Sequence, residues 1–327
     1  MGDYGAMKLN VLVTGIAGDI GFGVCKILRR HKLDGELYGI DIHSNHPGNI
    51  VCNVCAVAPR ADAVDYIDWM KSFVTKNKID LIIPTSEAEI GVLVSHKIRK
   101  IAGAGILINH ASMVEICLDK YRCIEYLKNN DLEVPDTGLL ANSRPSEYPV
   151  VLKPRAGRGS KDVKIVSDEK ELPSSNAEKY VWQEYLKRSD EEYTCGVFWG
   201  SDRTVRNIIL RRRLENGMTA SGEVVEEPLI EKYISKVVNL FEPPGCFNIQ
   251  LRLTDNGPRL FEINPRLSST LVFRDLLGFQ DLIWWIKDSL AEPFGKYEPP
   301  PNGVRFYRGS NEYLLSKHLK SMEVNYE

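Results

Sequence analysis

The chain has 327 residues, more than one typical domain contains, so its length predicts two or three modules. An apolar content of 43%, a charged content of 26% and a net charge of −2 are typical of a soluble globular protein and give no reason to expect nucleic acid or a membrane surface as a partner. Because the chain has no long apolar run and its first residues lack a signal-peptide layout, we expect a cytoplasmic protein. Seven scattered cysteines predict reduced thiols, and the single CxxC pair, Cys52 and Cys55, leaves a redox or metal role as the less favoured alternative.

The N-terminal part has the pattern of a doubly wound parallel sheet. The apolar run Lys8–Thr14 predicts a buried strand, and Glu36–Ile40 predicts a second strand that ends in Asp41. Between them lie three glycines, each three residues from the next: Gly15, Gly18 and Gly21. This pattern fits dinucleotide binding with Asp41 on a ribose hydroxyl, or a glycine turn that only lets strand and helix pack closely, and we favour the second interpretation.

The rest of this part continues the alternation of strands and helices. Helices are predicted at Tyr66–Lys76 and Ile90–Ile101, and short strands at Ile79–Pro84 and Gly105–Asn109. The N-terminal module is therefore expected to close near Cys117.

Two lysines and a glycine-rich loop lie in the middle of the chain. Lys120 lies in the first turn of the predicted helix Asp119–Asn130, where a cation is unfavourable for the helix dipole, so an anionic partner or simple solvation must explain it. Lys153 ends the predicted strand Tyr148–Lys153 and precedes the loop Arg155–Ser160, whose backbone N–H groups and cations can wrap phosphate oxygens. The loop lacks the P-loop spacing, so a mobile basic turn is an equal alternative.

Three more predicted strands carry charged residues. Lys179–Leu186 ends in Gln183-Glu184-Tyr185, where the chain could turn across a purine. Tyr193–Trp199 follows, and Asn207–Leu214 carries the consecutive arginines Arg211 to Arg213. Because side chains alternate between the faces of a strand, at least one of these arginines should meet a buried acid or an anion.

The stretch from Phe247 to Asn264 is predicted to form a hairpin with one polar face. Apolar and polar residues alternate in Phe247–Leu253 and again in Arg259–Asn264. A three-residue turn at Asp255-Asn256-Gly257 places Gln250 opposite Glu262, whereas a two-residue turn at Asn256-Gly257 would place it opposite Ile263. We therefore predict the three-residue turn. Gln250, Glu262 and Asn264 then share a face that suits Mg²⁺, although an ordinary hairpin with a solvated face is the alternative.

Taken in chain order, these motifs resemble the ATP-grasp superfamily, and within it the ATP-binding units of the carbamoyl-phosphate synthetase large chain. The motifs are Lys120, Lys153-Pro154, the loop Arg155–Ser160, Gln183-Glu184-Tyr185-Leu186, Glu192-Tyr193, Gln250 and Glu262-Ile263-Asn264-Pro265-Arg266. The resemblance covers about residues 8–308. Each motif alone is weak, but their common order and spacing are specific, and the E-x-N-P-R run is the most specific piece.

The resemblance implies a role for each motif. It implies that Lys120 and Lys153 hold the α- and β-phosphates of ATP, and that the loop closes over the β- and γ-phosphates through Arg155, Gly157, Gly159 and Ser160. It implies that Gln183, Glu184, Tyr185 and Leu186 border the adenine, with Glu192, or Glu191 in its place, on the ribose. It implies that Gln250, Glu262 and Asn264 carry Mg²⁺, with Mn²⁺ as an alternative ion. It implies that Arg266, and one of Arg211 or Arg213, stabilises an acyl phosphate or binds a carboxylate.

The activity that the resemblance implies is an ATP- and Mg²⁺-dependent ligase that activates a small-molecule carboxylate as an acyl phosphate and joins it to an amine. The chain resembles one ATP-grasp unit without a glutaminase, so we expect a stand-alone carboxylate–amine ligase rather than a carbamoyl-phosphate synthetase. A short-chain-type NAD(P)-dependent oxidoreductase is an alternative because of the glycine turn, but its Tyr-x-x-x-Lys pair is not found mid-chain. A nucleotide-binding protein without catalysis is the third hypothesis.

The implied fold is α/β. A Rossmann-like domain at residues 1–117 precedes an ATP-grasp fold of two subdomains that clasp ATP, at 118–187 with the lid loop and at 188–310, which is α+β, with the metal site. Residues 311–327 are expected to be a tail, and a homodimer is the default expectation.

Overall fold

The computed structural model describes residues 8–157, 162–187, 191–241 and 245–309. These residues form two compact units, residues 8–108 with 308–309, and residues 109–307. The predicted boundaries at 117, 187 and 310 stay predictions, and the predicted tail lies outside the described residues.

The first unit contains one sheet with helices between its strands. The strands are β1 (Leu9–Thr14), β2 (Asp34–Asp41), β3 (Val54–Val57), β4 (Leu81–Ile83), β5 (Lys100–Ile101) and β6 (Ala104–Ile106). The helices are α1 (Asp19–His31), α2 (Gly48–Val51), α3 (Tyr66–Asn77) and α4 (Glu87–Ser95). The strand order is β3-β2-β1-β4-β6-β5, and neighbours are parallel except β5 and β6. The α/β class predicted for this part is confirmed.

The predicted helix Ile90–Ile101 is wrong at both ends. The helix α4 begins at Glu87 and ends at Ser95, and Ile101 lies in β5. Lys97 has a positive φ of 56°, a left-handed conformation that an α-helix does not continue through. Ile101 fits the apolar spacing of the predicted helix because it is buried, but it is buried as part of a strand.

The glycine turn after β1 is held by the acidic residue at the end of β2. The two carboxylate oxygens of Asp41 accept hydrogen bonds from the backbone N–H groups of Ala17 and His43, each at 3.0 Å. A Cβ on Gly21 would lie 2.4 Å from the Gly15 carbonyl oxygen, so close packing requires glycine there. Close packing at the third glycine is common to both interpretations, so the choice between them stays a prediction.

The described residues of the second unit form two antiparallel sheets and several helices. The strands are β7 (Thr137–Leu139), β8 (Val150–Pro154), β9 (Lys164–Val166), β10 (Tyr180–Glu184), β11 (Glu191–Trp199), β12 (Val205–Glu215), β13 (Met218–Val224), β14 (Gly245–Thr254), β15 (Gly257–Asn264) and β16 (Arg305–Tyr307). The helices are α5 (Ala111–Cys117), α6 (Lys120–Lys128), α7 (Pro228–Val238), α8 (Leu271–Leu276) and α9 (Asp281–Ser289), with 3₁₀ turns at Glu169–Glu171 and Ala177–Lys179. The smaller sheet has the order β7-β10-β8-β9, and the larger has the order β15-β14-β11-β12-β13-β16.

One face of the larger sheet is apolar and covered by helices. The predicted alternation in β14 is confirmed, because Phe247, Ile249 and Leu251 are buried in the cluster that also contains Ile124 of α6 and Ile234 of α7. Each fully buried apolar side chain of this kind contributes about 1.5–3 kcal/mol to stability. The opposite face of the strand carries the polar residues. Within the described residues, no helix combines the length and apolar character needed for a membrane span.

The hairpin of β14 and β15 has the predicted pairing but not the predicted turn. Gln250 lies opposite Glu262, which is confirmed. The three-residue turn is wrong: Thr254 pairs with Gly257, so only two residues form the turn. The pairing shifts by one residue beside Gln250, and Phe261 is the extra residue of this β-bulge. The two-residue turn and the one-residue bulge together place Gln250 opposite Glu262. A three-residue turn without a bulge would have produced the same pairing.

Candidate active site

Lys153 is a buried cation held by two acceptors. It lies in β8, and its Nζ donates hydrogen bonds to Gln183 Oε1 at 2.9 Å and to the backbone oxygen of Phe261 at 3.1 Å. The Gln183 amide is oriented in turn, because its Nε2 donates to Thr137 Oγ1 at 3.0 Å. The ammonium group of Lys153 thus has one acceptor in the bulge, the backbone oxygen of Phe261, and one on the neighbouring strand, the side-chain oxygen of Gln183.

Lys120 and Glu262 lie beside this buried lysine. The Nζ atom of Lys120, in the first turn of α6, is 3.7 Å from Glu262 Oε1 and donates to the Gly157 backbone oxygen at 2.6 Å. Burial lowers the pKa of Lys153 to about 8; the charge of Glu262 opposes this shift, and that of Lys120 adds to it. Two ammonium groups and one carboxylate therefore converge, which explains the unfavourable cation at the start of α6.

The start of the predicted phosphate loop is anchored to the same helix. The Arg155 guanidinium contacts Asp119, the N-cap of α6, through Nη2–Oδ2 and Nε–Oδ2 distances of 2.8 and 2.9 Å. Asp119 Oδ1 also accepts from the N–H groups at the start of the helix. Arg155 and Gly157 are therefore placed near Lys120, whereas Gly159 and Ser160 lie outside the described residues.

The segment predicted to border adenine, Gln183 to Leu186, begins with the last two residues of β10. Glu184 is exposed and is fixed to Asp136, because its backbone N–H donates to the Asp136 carbonyl at 2.7 Å and its Oε2 accepts from the Asp136 N–H at 3.1 Å. Tyr185 and Leu186 follow the strand and are half-buried. Their role toward adenine stays a prediction.

Glu192 and Gln250 are joined by an arginine that the sequence did not single out. Arg212 Nη2 donates to Gln250 Oε1 at 3.0 Å and to Glu192 Oε1 at 2.8 Å, and the Arg212 side chain is only 7% exposed. The second oxygen of Glu192 accepts from Arg252 Nη2 at 2.7 Å. Glu192 thus lies on the polar face of the sheet, but both of its oxygens are paired with guanidinium groups. Its neighbour Glu191 accepts from Tyr193.

The structure does not bring Arg211 or Arg213 to this face. Arg211 pairs with Glu191 and Glu223, and Arg213 pairs with Glu215 and is 72% exposed. Arg212 faces the opposite way because neighbours on a strand alternate. The sequence predicted that the run of arginines would divide between the faces. It could not tell which member faces Gln250, because that depends on the pairing of β12 with β11.

The oxygen-bearing residues of the hairpin suit a hard cation. Glu262 and Asn264 lie two residues apart on β15, and their partners Gln250 and Asn248 lie on the same face of β14. Arg266 follows at once, with its Nη2 3.3 Å from Asn264 Oδ1. The described residues contain no group of three or more His, Cys, Asp or Glu that could hold a metal. One carboxylate with amide oxygens fits Mg²⁺, which takes its other ligands from phosphate and water.

A buried polar network beneath this face was missed in the sequence. Arg274 is fully buried; its Nη2 lies 2.6 Å from Asp281 Oδ2, and its Nη1 donates to Ser268 Oγ at 2.6 Å. Ser268 Oγ in turn donates to Asn248 Oδ1 at 3.0 Å. The network ties the segment after Arg266 to β14. The sequence signal that could have predicted it is Arg274 itself, a charged residue among the apolar residues of α8.

A comparison with protein families identifies this part of the chain. A family profile described as an ATP-grasp domain matches residues 117–270. Residues 117–270 form an ATP-grasp domain. The ATP-grasp resemblance that the motifs carry is thereby confirmed, and the matched stretch contains both site lysines and the hairpin of β14 and β15.

Individual relatives of the ATP-grasp domain extend this finding. A D-alanine–D-alanine ligase of Bacillus anthracis is 28% identical over 224 residues, covering 57% of this chain and 72% of the ligase. An uncharacterised protein of Mycoplasma genitalium is 33% identical over 122 residues, covering 36% of this chain and 42% of that protein. The chain thus spans less than half of the length of this relative.

A solved structure shows the same fold. It is the biotin carboxylase domain of the 2-oxoglutarate carboxylase of Hydrogenobacter thermophilus, in complex with MgADP, ADP and bicarbonate. The TM-score is 0.69 at 16% sequence identity, and the match covers 89% of this chain and 72% of that chain. The predicted fold, a Rossmann-like part followed by an ATP-grasp fold, is confirmed.

Proposed function

We propose that this chain is an ATP- and Mg²⁺-dependent ligase that joins a small-molecule carboxylate to an amine. The observation that carries the proposal is the convergence of Lys120, Lys153 and Glu262 in the ATP-grasp domain. Two cations beside a carboxylate suit a triphosphate that shares a divalent ion with the protein.

The two lysines bind the α- and β-phosphates. Lys153 acts from a fixed position, because Gln183 and the Phe261 carbonyl orient its ammonium group. Lys120 acts from the start of α6, where the peptide dipoles also favour an anion. The loop that begins at Arg155 covers the β- and γ-phosphates, and the segment from Glu184 to Leu186 borders the adenine.

Glu262 and Asn264 are the residues that would hold Mg²⁺ on this face. When bound, the ion neutralises negative charge that develops on the transferred phosphoryl group. Gln250, the third ligand implied by the resemblance, lies on the same face, but its oxygen accepts a hydrogen bond from Arg212. Arg266, which adjoins Asn264, is proposed to bind the acyl phosphate or the substrate carboxylate.

The proposed reaction has two steps. A carboxylate oxygen of the substrate attacks the γ-phosphorus, the bond to the β-phosphate oxygen breaks, and ADP leaves. The amine nitrogen then attacks the acyl carbon, phosphate leaves with the former carboxylate oxygen, and the amine loses a proton. Because the acyl phosphate would hydrolyse in water, a loop that covers the phosphates has a chemical purpose.

The transfer of an oxygen atom tests this reaction. A panel of carboxylic acids and amines is first screened for Mg²⁺-dependent ADP release, and the active acid is then labelled with ¹⁸O in its carboxylate. We expect labelled phosphate together with the amide. Unlabelled phosphate from a labelled acid would overturn the acyl-phosphate route.

Matched variants link the reaction to the site. Glu262→Gln should abolish ADP release because it removes the carboxylate of the proposed metal site. Glu169→Gln removes a carboxylate that is 69% exposed and 4.0 Å from Arg144, and it should leave turnover unchanged. Equal turnover of the Glu262 variant and the wild type would place the chemistry elsewhere.

A further inference from the structure

The guanidinium group of Arg212 is held by the strands on both sides of β12. Its Nε and Nη2 atoms donate hydrogen bonds to Glu192 Oε1 at 3.1 and 2.8 Å, and its Nη1 donates to Thr219 Oγ1 at 3.3 Å. Glu192 lies on β11 and Thr219 on β13. The Arg212 side chain is only 7% exposed. Arg212 therefore presents hydrogen-bond donors at a defined place on the polar face of the sheet.

The orientation of the Gln250 amide follows from these donors. Arg212 Nη2 lies 3.0 Å from Gln250 Oε1. A guanidinium group and an amide NH₂ group both carry only hydrogen-bond donors, so the end of the amide that faces Arg212 must be the oxygen. Exchanging the two ends of the amide would set donor against donor. The NH₂ group of Gln250 therefore points away from Arg212.

The sheet order shows what lies on the NH₂ side of Gln250. Strand β14 lies between β11 and β15, and Arg212 reaches Gln250 from the β11 side. Glu262 lies opposite Gln250 on β15, and Lys120, which is proposed to bind phosphate, is 3.7 Å from its Oε1. Oxygen and nitrogen lie at opposite ends of a planar amide. Gln250 thus turns a hydrogen-bond donor, and not an oxygen, toward the proposed metal and phosphate site.

Two kinds of acceptor are available to an NH₂ group in this place, the Glu262 carboxylate and a phosphate of the nucleotide. When Glu262 holds Mg²⁺, its oxygens are directed to the ion. Phosphate oxygens then remain as acceptors for the Gln250 donor. A hydrogen bond to a charged acceptor of this kind is among the stronger ones in proteins.

We propose that Gln250 donates a hydrogen bond to a phosphate of the bound nucleotide and that Arg212 is the positioning residue that fixes this orientation. The inference rests on the proposed function, since it concerns the ATP site of the same ligase. It departs from the metal-ligand role that the family resemblance implies for Gln250. A donor strengthens nucleotide binding with or without Mg²⁺, whereas a metal ligand acts only when the ion is present.

The dependence of nucleotide affinity on Mg²⁺ separates these two roles. Calorimetry measures the affinity of the wild type and of Gln250→Met for a non-hydrolysable ATP analogue, from no Mg²⁺, with EDTA, to saturating Mg²⁺. Loss of a donor to a charged acceptor predicts about tenfold weaker binding at every Mg²⁺ concentration. Arg305→Met changes a residue of the same sheet that is 70% exposed and should match the wild type throughout. Equal affinities of Gln250→Met and the wild type, or a loss that appears only as Mg²⁺ is added, would overturn the inference.

A carboxylate in place of the amide gives a second test. Gln250→Glu keeps an acceptor for Arg212, so it should fold, but it has no N–H group. We expect it to bind the analogue about tenfold more weakly than the wild type in saturating Mg²⁺. A metal ligand would tolerate this change, because carboxylates bind Mg²⁺. Wild-type affinity in Gln250→Glu would therefore overturn the donor role.

A double variant tests whether Arg212 acts through Gln250. Arg212→Met should weaken binding of the analogue, and Arg212→Met with Gln250→Met should bind within about twofold of Gln250→Met alone. Additive losses would overturn the positioning role. No binding of the analogue by the wild type under any condition would overturn this inference and the proposed function together. Mg²⁺-dependent ADP release by a wild type that fails only the comparisons above would leave the ligase proposal intact.

Discussion

Lys153 and Gln183 lie diagonally across two neighbouring antiparallel strands, with the lysine Nζ 2.9 Å from the glutamine Oε1. Lys153 pairs with Val181 in the sheet, and Gln183 lies two residues further along β10, on the same face. The contact keeps a buried ammonium group hydrogen-bonded without neutralising its charge. Its protonation state therefore remains sensitive to pH.

The affinity for ATP should depend on the protonation of Lys153. Burial lowers the pKa of this lysine to about 8, so the ligand-free protein carries the charged form below that pH and loses it above. Because phosphate binding requires the cation, ATP affinity should fall about tenfold per pH unit well above pH 8. Calorimetric titration of ATP with Mg²⁺ between pH 7 and 10 measures this.

A variant without the ammonium group provides the control for this pH effect. Lys153→Gln should bind ATP more weakly at pH 7 and show little further loss up to pH 9. The free energy of unfolding of the ligand-free wild type should also rise between about pH 8 and 10.5, because the unfolded state binds more protons there. An unchanged pH profile in Lys153→Gln would contradict the assignment.

Removing the bulge residue Phe261 should weaken ATP binding without changing the pairing of β14 with β15. Deleting this residue keeps Leu251 opposite Leu260 and Gln250 opposite Glu262, so the variant should fold, as judged by circular dichroism. It removes the backbone oxygen that accepts from Lys153, so ATP affinity should fall about tenfold. Phe261→Ala keeps this oxygen and should bind ATP as the wild type does. Wild-type affinity in the deletion variant would refute a role for the bulge.

The buried network around Arg274 should stabilise the fold strongly. Burial raises the pKa of Asp281, and Arg274 opposes that shift. Arg274→Met would leave the carboxylate buried without its partner, and urea unfolding should show a loss of about 3–5 kcal/mol. The double variant Arg274→Met with Asp281→Leu should regain part of the loss. A single variant as stable as the wild type would show that the pair is dispensable.

Substitution of Arg212 should weaken ATP binding much more than substitution of the adjacent Arg213. Arg212→Gln removes the guanidinium between Glu192 and Gln250, so ATP affinity should fall about tenfold. Arg213→Gln changes a residue that is 72% exposed and paired locally with Glu215, so affinity should stay within about twofold. A larger effect at Arg213 would favour the assignment made from the sequence alone.

The sequence predicted the hairpin well because its signals are local. Alternation placed Phe247, Ile249 and Leu251 in the core, and counting residues placed Gln250 opposite Glu262. The turn was predicted wrongly because an added turn residue and an added bulge residue give the same register. Residue counting cannot distinguish them, whereas the Lys153 contact depends on the bulge.

The features that the sequence missed depend on pairing between distant segments. Arg212 faces Gln250 because β12 and β14 both pair with β11, and no local pattern fixes that alignment. Arg274 is buried because it pairs with Asp281, which lies in the next helix. The order of motifs was enough to predict the ATP-grasp fold, but the charge balance around the site required coordinates.

Titration of ATP into the wild type and Glu262→Gln, each with and without Mg²⁺, tests the central claim most directly. The claim is that Lys120, Lys153 and Glu262 form one site for Mg²⁺ and a triphosphate. It predicts that Mg²⁺ strengthens ATP binding to the wild type by about tenfold or more, and that Glu262→Gln loses this gain. An equal gain from Mg²⁺ in both proteins, or no binding by the wild type, would contradict the claim.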